Sequence, residues 1–113
     1  MLNPGTVVVA YLKEPREQIW GVLLKLEGTG LLLRGIALNS FDDFLKQAGN
    51  GSVSGESHGI ELSTIYYPAT RLEKILLDEP CGAIPSLRER FRSRAGMEIT
   101  DYLGLTHETQ PAS

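Results

Sequence analysis

Apolar and polar residues alternate in short runs along the first two-thirds of the chain, and Gly, Pro or a charged cluster closes each run. The first run, Val7-Val8-Val9-Ala10-Tyr11-Leu12, follows the turn signal Pro4-Gly5. Its β-branched and aromatic residues suit a pleated, half-buried surface, so it reads as a strand. Lys13-Glu14-Pro15-Arg16 is a polar turn. A second strand is expected over 17–27, with Trp20, Val22, Leu24 and Leu26 on one face at period two. Gly28-Thr29-Gly30 marks a hairpin, and a third strand follows over 31–39. Gly21 and Gly35 sit inside these two long strands, where glycine adds no packing, so each predicts a bend or bulge. Two such strands in succession predict a strongly coiled sheet closing into a small barrel.

The period then changes. Ser40-Phe41-Asp42-Asp43 has a capping residue and first-turn carboxylates, which predicts a short helix through Phe44, Leu45 and Ala48. Residues 49–59 are mostly Gly and Ser and predict a loop. A fourth strand is expected over 60–67, a break at Pro68-Ala69-Thr70, and a fifth strand over 71–77. The longest connection between strands should therefore be the one over 40–59. Ser86 and Glu89 stand at capping-box spacing before a helix whose Leu87, Phe91 and Ala95 share one stripe, with Gly96 as its C-cap. Leu87 and Phe91 should dock this helix on the barrel. A second short helix is expected over 98–103, and the tail 106–113 reads as polar and frayed. The expected fold class is mainly β: a five-stranded, strongly bent barrel in one domain over 1–105, with a helical insert between the third and fourth strands and a C-terminal helical segment.

Composition narrows the function classes. The chain has 113 residues, ordinary apolar and charged shares of 42% and 22%, and no apolar run near the ~20 residues of a membrane span. The opening Met1-Leu-Asn-Pro-Gly has neither a basic region nor an apolar core, so no secretory leader is expected. Cys81 is the single cysteine and cannot form an intramolecular disulfide. These features point to the cytoplasm and away from a membrane. The net charge of −3 argues against a protein coated in nucleic acid. The charge is uneven, however. Residues 1–80 carry seven basic and ten acidic side chains, whereas residues 81–105 carry four arginines against Glu89, Glu98 and Asp101.

Two stretches carry a resemblance. Gly5-Thr-Val-Val-Val before Leu12-Lys13, a charged turn, and Gly21 followed by alternating apolar residues form the first. The second is Thr64-Ile-Tyr-Tyr-Pro-Ala-Thr-Arg-Leu-Glu-Lys-Ile75. Over about 7–78 the chain resembles the Sm-like (LSm, Hfq-like) barrels, which share an SH3-like architecture. That resemblance implies a non-enzymatic binding module working as a homo-oligomer, in which the fourth strand of one subunit pairs with the fifth of the next. It also implies RNA contacts at the short break between those strands. Here the break reads Pro68-Ala69-Thr70-Arg71, and Glu27-Gly28-Thr29-Gly30 replaces the Asp and Asn that the family places after its second strand. The alternative is a protein-interaction domain that binds no nucleic acid.

The candidate RNA- or partner-binding residues are Tyr66, Tyr67, Arg71, Arg88 and Arg92. Tyr66 and Tyr67 should point to opposite faces of a strand, one into the core and one free to stack on a base or a partner. Arg88, Arg90, Arg92 and Arg94 could meet phosphates, but alternate spacing spreads them over a solvated helix face, with Arg88 and Arg92 on one side. No catalytic group, metal site or cofactor is expected. Cys81 could be a nucleophile only with a base, and His58 and His107 lie in a Gly/Ser loop and the tail. The adjacent acidic pairs Asp42-Asp43 and Asp78-Glu79 diverge in direction and suit helix-start and strand-end roles.

Overall fold

The computed structural model of the chain describes residues 2–49 and 61–105. Its strands are β1 (Val7–Leu12), β2 (Glu17–Glu27), β3 (Gly30–Ala37), β4 (Ser63–Pro68) and β5 (Leu72–Leu77). Its helices are α1 (Phe41–Gly49), α2 (Leu87–Ala95) and α3 (Ile99–Tyr102). The strands form one antiparallel sheet in the order β4-β3-β2-β1-β5. The fold is thus mainly β with appended helices. Residues 38–62 make the longest connection between strands and carry α1. β3 ends at Ala37, earlier than its apolar run predicts, because Leu38–Ser40 form a 3-10 turn that leads directly into α1. Of the sequence expectations, the loop within 50–60, the tail 106–113, His58 and His107 lie outside the described residues. No described helix is long and apolar enough to cross a membrane.

The strand order forces curvature. β4 and β5 are the two edges of the sheet, yet only the 3-10 turn Ala69–Arg71 separates them in sequence. Laid flat, the edges of five strands would stand about 19 Å apart. One 3-10 turn of three residues advances only about 6 Å, so the sheet curls until its edges approach at that end. Gly21 and Gly35 are cross-strand partners, so the two predicted bends coincide. A Cβ on Gly21 would collide with the Arg34 carbonyl and the Gly35 Cα, and one on Gly35 would lie 2.8 Å from the Trp20 carbonyl oxygen. Register shifts between Leu23 and Lys25, and between Tyr11 and Leu12, add local twist.

The expected barrel does not close: among the described residues no ladder joins β4 to β5. The turn between them directs its backbone groups elsewhere. The Ala69 N–H donates to the Thr29 carbonyl (2.9 Å), and the Arg71 carbonyl accepts from the Lys13 N–H (2.8 Å). Pro68 at the end of β4 has no N–H to offer.

The curled sheet is buried on both faces at its centre. One face carries Ala10, Leu12, Ile19, Leu23, Leu31, Leu33 and Tyr67, with Leu72 and Ile75 of β5 packed against them. This cluster draws on all five strands and on no described helix, so the sheet covers its own concave side. The other face, with Val7, Val9, Trp20, Val22 and Ile36, packs under Phe41, Phe44, Leu45 and Ala48 of α1, Phe91 of α2 and Ile99 of α3. The predicted single face for Trp20, Val22, Leu24 and Leu26 is corrected here. The register shift takes Leu24 out of phase, and Leu26, paired with Leu31, falls on the opposite face and is 39% exposed.

Local chemistry fixes the helices. α2 begins with a complete capping box: the Glu89 N–H donates to Ser86 Oγ (3.0 Å), and the Ser86 N–H donates to Glu89 Oε1 (3.1 Å). Gly96 closes it in the left-handed conformation at φ 80°. Phe91 docks chiefly on α1 rather than on the strands, stacked on Phe44 at 5.6 Å, with Tyr102 edge-on at 5.2 Å. Asp78, one residue past β5, ties this helical layer to the sheet. It accepts from Trp20 Nε1 (3.0 Å) and from the backbone N–H groups of Leu87 (2.9 Å) and Arg88 (2.7 Å).

Candidate functional site

The structure divides the predicted binding residues between the two ends of β5. Tyr66, Tyr67 and Arg71 lie at the end where β4 turns into β5, beside the β2–β3 hairpin and the β1–β2 turn. Arg88 and Arg92 lie at the opposite end, on α2. The six residues of β5 separate the two groups by roughly 20 Å of strand.

Tyr66 and Tyr67 do point to opposite faces. Tyr67 is buried in the concave cluster, across from Leu31. Burial and then the charge of Glu17 raise its phenol above the ordinary value of 10.0, while Arg71 acts in the other direction. Tyr66 is 51% exposed, and its hydroxyl donates to the Thr29 carbonyl of the β2–β3 hairpin (2.9 Å). Close packing of its ring against Gly30 leaves no room there for a side chain.

Arg71 is anchored in place. Its Nε donates to the Lys13 carbonyl (3.0 Å) and its Nη2 to the Pro15 carbonyl (2.7 Å), so the guanidinium staples the β1–β2 turn to the start of β5. Glu17 lies 3.8 Å from it, and its guanidinium carbon is 5.7 Å from the Tyr67 ring centroid. These contacts engage the fork that would otherwise grip a phosphate.

Three of the four helix arginines are paired as well. Arg88 and Arg92 share Glu98, at 3.0 and 3.3 Å. Arg90 reaches Asp42 of α1 at 2.9 Å and lies 5.2 Å over the Phe41 ring. Arg94 packs along the end of α1, against Gly49. Screened surface pairs of this kind hold their side chains weakly, so the helix keeps a solvated, partly neutralised face.

One feature has no sequence signal strong enough to single it out. A groove of about 840 Å3 runs between the N-terminal segment and the helices, lined by Val7, Val22, Leu77, Asp78, Arg88 and Thr100. Asp78 and Arg88 at its rim are already engaged, with the N-terminus of α2 and with Glu98. The outer strands β4 and β5 each carry a backbone edge that no described strand covers, with Tyr66 on one and Leu76 and Leu77, each 44% exposed, on the other. Cys81 is exposed in a tight bridge with Ile84, which is itself 68% exposed. Among the described residues no group of three His, Cys, Asp or Glu side chains could hold a metal ion. The chain matches no family model, no curated protein and no solved structure.

Proposed function

We propose that this chain is a non-enzymatic binding module of the Sm-like type, acting in the cytoplasm as a homo-oligomer that binds single-stranded RNA weakly. The observation that carries the reading is the placement of β4 and β5. They are consecutive in sequence, stand at opposite edges of one curled sheet, and are joined by a single 3-10 turn. The resemblance over 7–78 attaches assembly to the same two strands. Uncovered, apolar, β-prone edges template pairing with another chain. Pairing the β4 edge of one subunit with the β5 edge of the next would satisfy both and cover Leu76, Leu77 and Tyr66. A contact of this kind is head-to-tail and closes into a ring when its rotation permits.

The RNA part rests on phosphate electrostatics. With a net charge of −3, one subunit has no overall attraction for a polyanion, so affinity must come from repetition around an assembly and must fall steeply with salt. Titration of labelled single-stranded RNA at low and physiological salt tests it: binding at low salt that vanishes at physiological salt is the expected result, and none at low salt would remove RNA. A protein-interaction module is the second reading. The exposure of Ile84 and Met97, both remote from the strand edges in sequence, favours it. It would then stand alone.

A further inference from the structure

A cleft of about 470 Å3 opens at the β1–β2 turn, between that turn and the end of β3. Its polar lining is Arg16, Glu17, Gln18 and Asn39, and Ile19, Ala37 and Leu38 complete it. We propose that this cleft holds a nucleotide, with its phosphate on Arg16 and its base edge on the amides of Gln18 and Asn39. Resting on the RNA reading above, this is where the protein grips single-stranded RNA.

Three observations converge on it. First, Arg16, Gln18 and Asn39 are exposed, and no hydrogen bond or ion pair engages their side chains among the described residues. Of the other described arginines, Arg34 is engaged with the Leu62 carbonyl, Arg71 with the β1–β2 turn, and Arg88, Arg90 and Arg92 with Glu98 and Asp42, while Arg94 lies against Gly49. A free guanidinium fork fits a phosphate bidentately, and Gln and Asn each offer one donor and one acceptor, the pattern that reads a base edge.

Second, the turn that carries Arg16 is fixed. Arg71 holds the carbonyls of Lys13 and Pro15 on either side of Glu14, so Arg16 is presented from a backbone anchored to β5. Arg71 is on this account a positioning residue and not a phosphate contact. Glu17 also lines the cleft, and its carboxylate would repel an anion, but Arg71 at 3.8 Å offsets that charge.

Third, the sheet extends the cationic surface. Lys74, Tyr11 and Gln18 form one row across β5, β1 and β2, with Lys74 Nζ 4.8 Å over the Tyr11 ring. Lys74 therefore stands about 10 Å from Gln18, two strand spacings away, within reach of a neighbouring phosphate of a polymer. The accessible apolar lining, Ala37 and Leu38, suits the face of a base, as a single-stranded site requires.

The experiment titrates the wild-type protein, Arg16→Ala, Gln18→Ala and, as a control on the exposed side of α1, Lys46→Ala with labelled single-stranded RNA, a nucleoside monophosphate and inorganic phosphate at low salt, with a thermal melt of each variant. The expected result is RNA binding weakened about tenfold by Arg16→Ala, as loss of a charge-assisted hydrogen bond implies. Gln18→Ala should weaken it by a smaller factor and Lys46→Ala should leave it unchanged, all at wild-type melting temperature. RNA binding that ignores Arg16 and Gln18 overturns the cleft and leaves the RNA reading intact. Monophosphate binding lost in Arg16→Ala, with no RNA bound, supports the cleft and removes the RNA reading. Inorganic phosphate binding as well as the monophosphate overturns the base-reading site, and failure of all three ligands to bind the wild type overturns both.

Discussion

β1 and β5 lie side by side in the sheet, and both are rich in aliphatic residues, yet β1 is buried along nearly its whole length and no residue of β5 is fully buried. The sequences Val7-Val8-Val9-Ala10-Tyr11-Leu12 and Leu72-Glu73-Lys74-Ile75-Leu76-Leu77 account for that difference at Glu73 and Lys74 but not at Leu76 and Leu77. Position does. β1 has a strand on each side, the concave cluster on one face and the helical layer on the other. Among the described residues β5 has one neighbouring strand and an outer edge that no strand covers. The central strands thus complete their burial among the described residues, whereas the edge strands leave apolar side chains exposed there.

Paired truncations in these two strands test this contrast most strongly. Leu12→Ala, in β1, should cost about 2–5 kcal/mol by lost transfer energy and cavity formation, read as a fall in urea midpoint. Leu76→Ala, in β5, should change the stability of a dilute subunit by no more than about 0.5 kcal/mol, as surface substitutions do. Equal costs would mean that β5 is as well packed as β1, and the comparison would fail.

The curl that makes β5 an edge near β4 comes next. Gly21→Ala places a Cβ against the Arg34 carbonyl, a backbone atom that cannot swing aside. Overpacking there should cost about 1–3 kcal/mol and loosen the concave cluster. A melting temperature equal to wild type would show that the bend does not depend on the opposed glycines.

Asp78 links the end of β5 to the helical layer, and Asp78→Ala strands three donors, the Trp20 indole and two helix N–H groups. Leaving buried or part-buried donors unmet costs about 1–3 kcal/mol. Trp20 is the only tryptophan, so its fluorescence should shift with the same substitution. An unshifted spectrum would show that the indole finds another acceptor.

The smallest expected effect is at Tyr67, where β4 meets the concave cluster. Its folded-state value is raised, so the unfolded chain loses its phenolic proton first as pH rises. Stability from this group is therefore complete below about pH 10 and declines above it. Tyr67→Phe should remove that component of the alkaline decline. An alkaline profile identical to wild type would place the effect elsewhere.

What was legible in the sequence follows from how local each signal is. The bounds of β1, the capping box of Ser86 and Glu89, and the left-handed Gly96 depend on residues a few positions apart, so pattern and chemistry reveal them. Gly21 and Gly35 were each readable as bends because glycine has little other use inside a strand, but their pairing across β2 and β3 was not. The register shift at Leu24 reverses the face of Leu26, and a bulge depends on the partner strand, which a period-two pattern in one strand cannot reveal. Asp78 reads locally as a strand-end residue, since its partner Trp20 is 58 residues away. Arg71 shows the same limit at the site: as a cation at a short break it reads as a phosphate contact, and only the approach of the Lys13 and Pro15 carbonyls shows it stapling a turn. Arg16 reads locally as one residue of a polar turn, because its place beside Gln18 and Asn39 is set by the pairing of β2 with the end of β3.

Light scattering during size-exclusion chromatography tests the unmet edge directly, with the wild type beside Leu76→Lys, which puts a charge on the edge strand. The account predicts a wild-type mass at a fixed multiple of 12.4 kDa that holds on dilution, and a Leu76→Lys protein that is folded but monomeric. A wild-type mass of 12.4 kDa at high concentration would contradict it, leaving β4 and β5 as edges that the subunit tolerates alone.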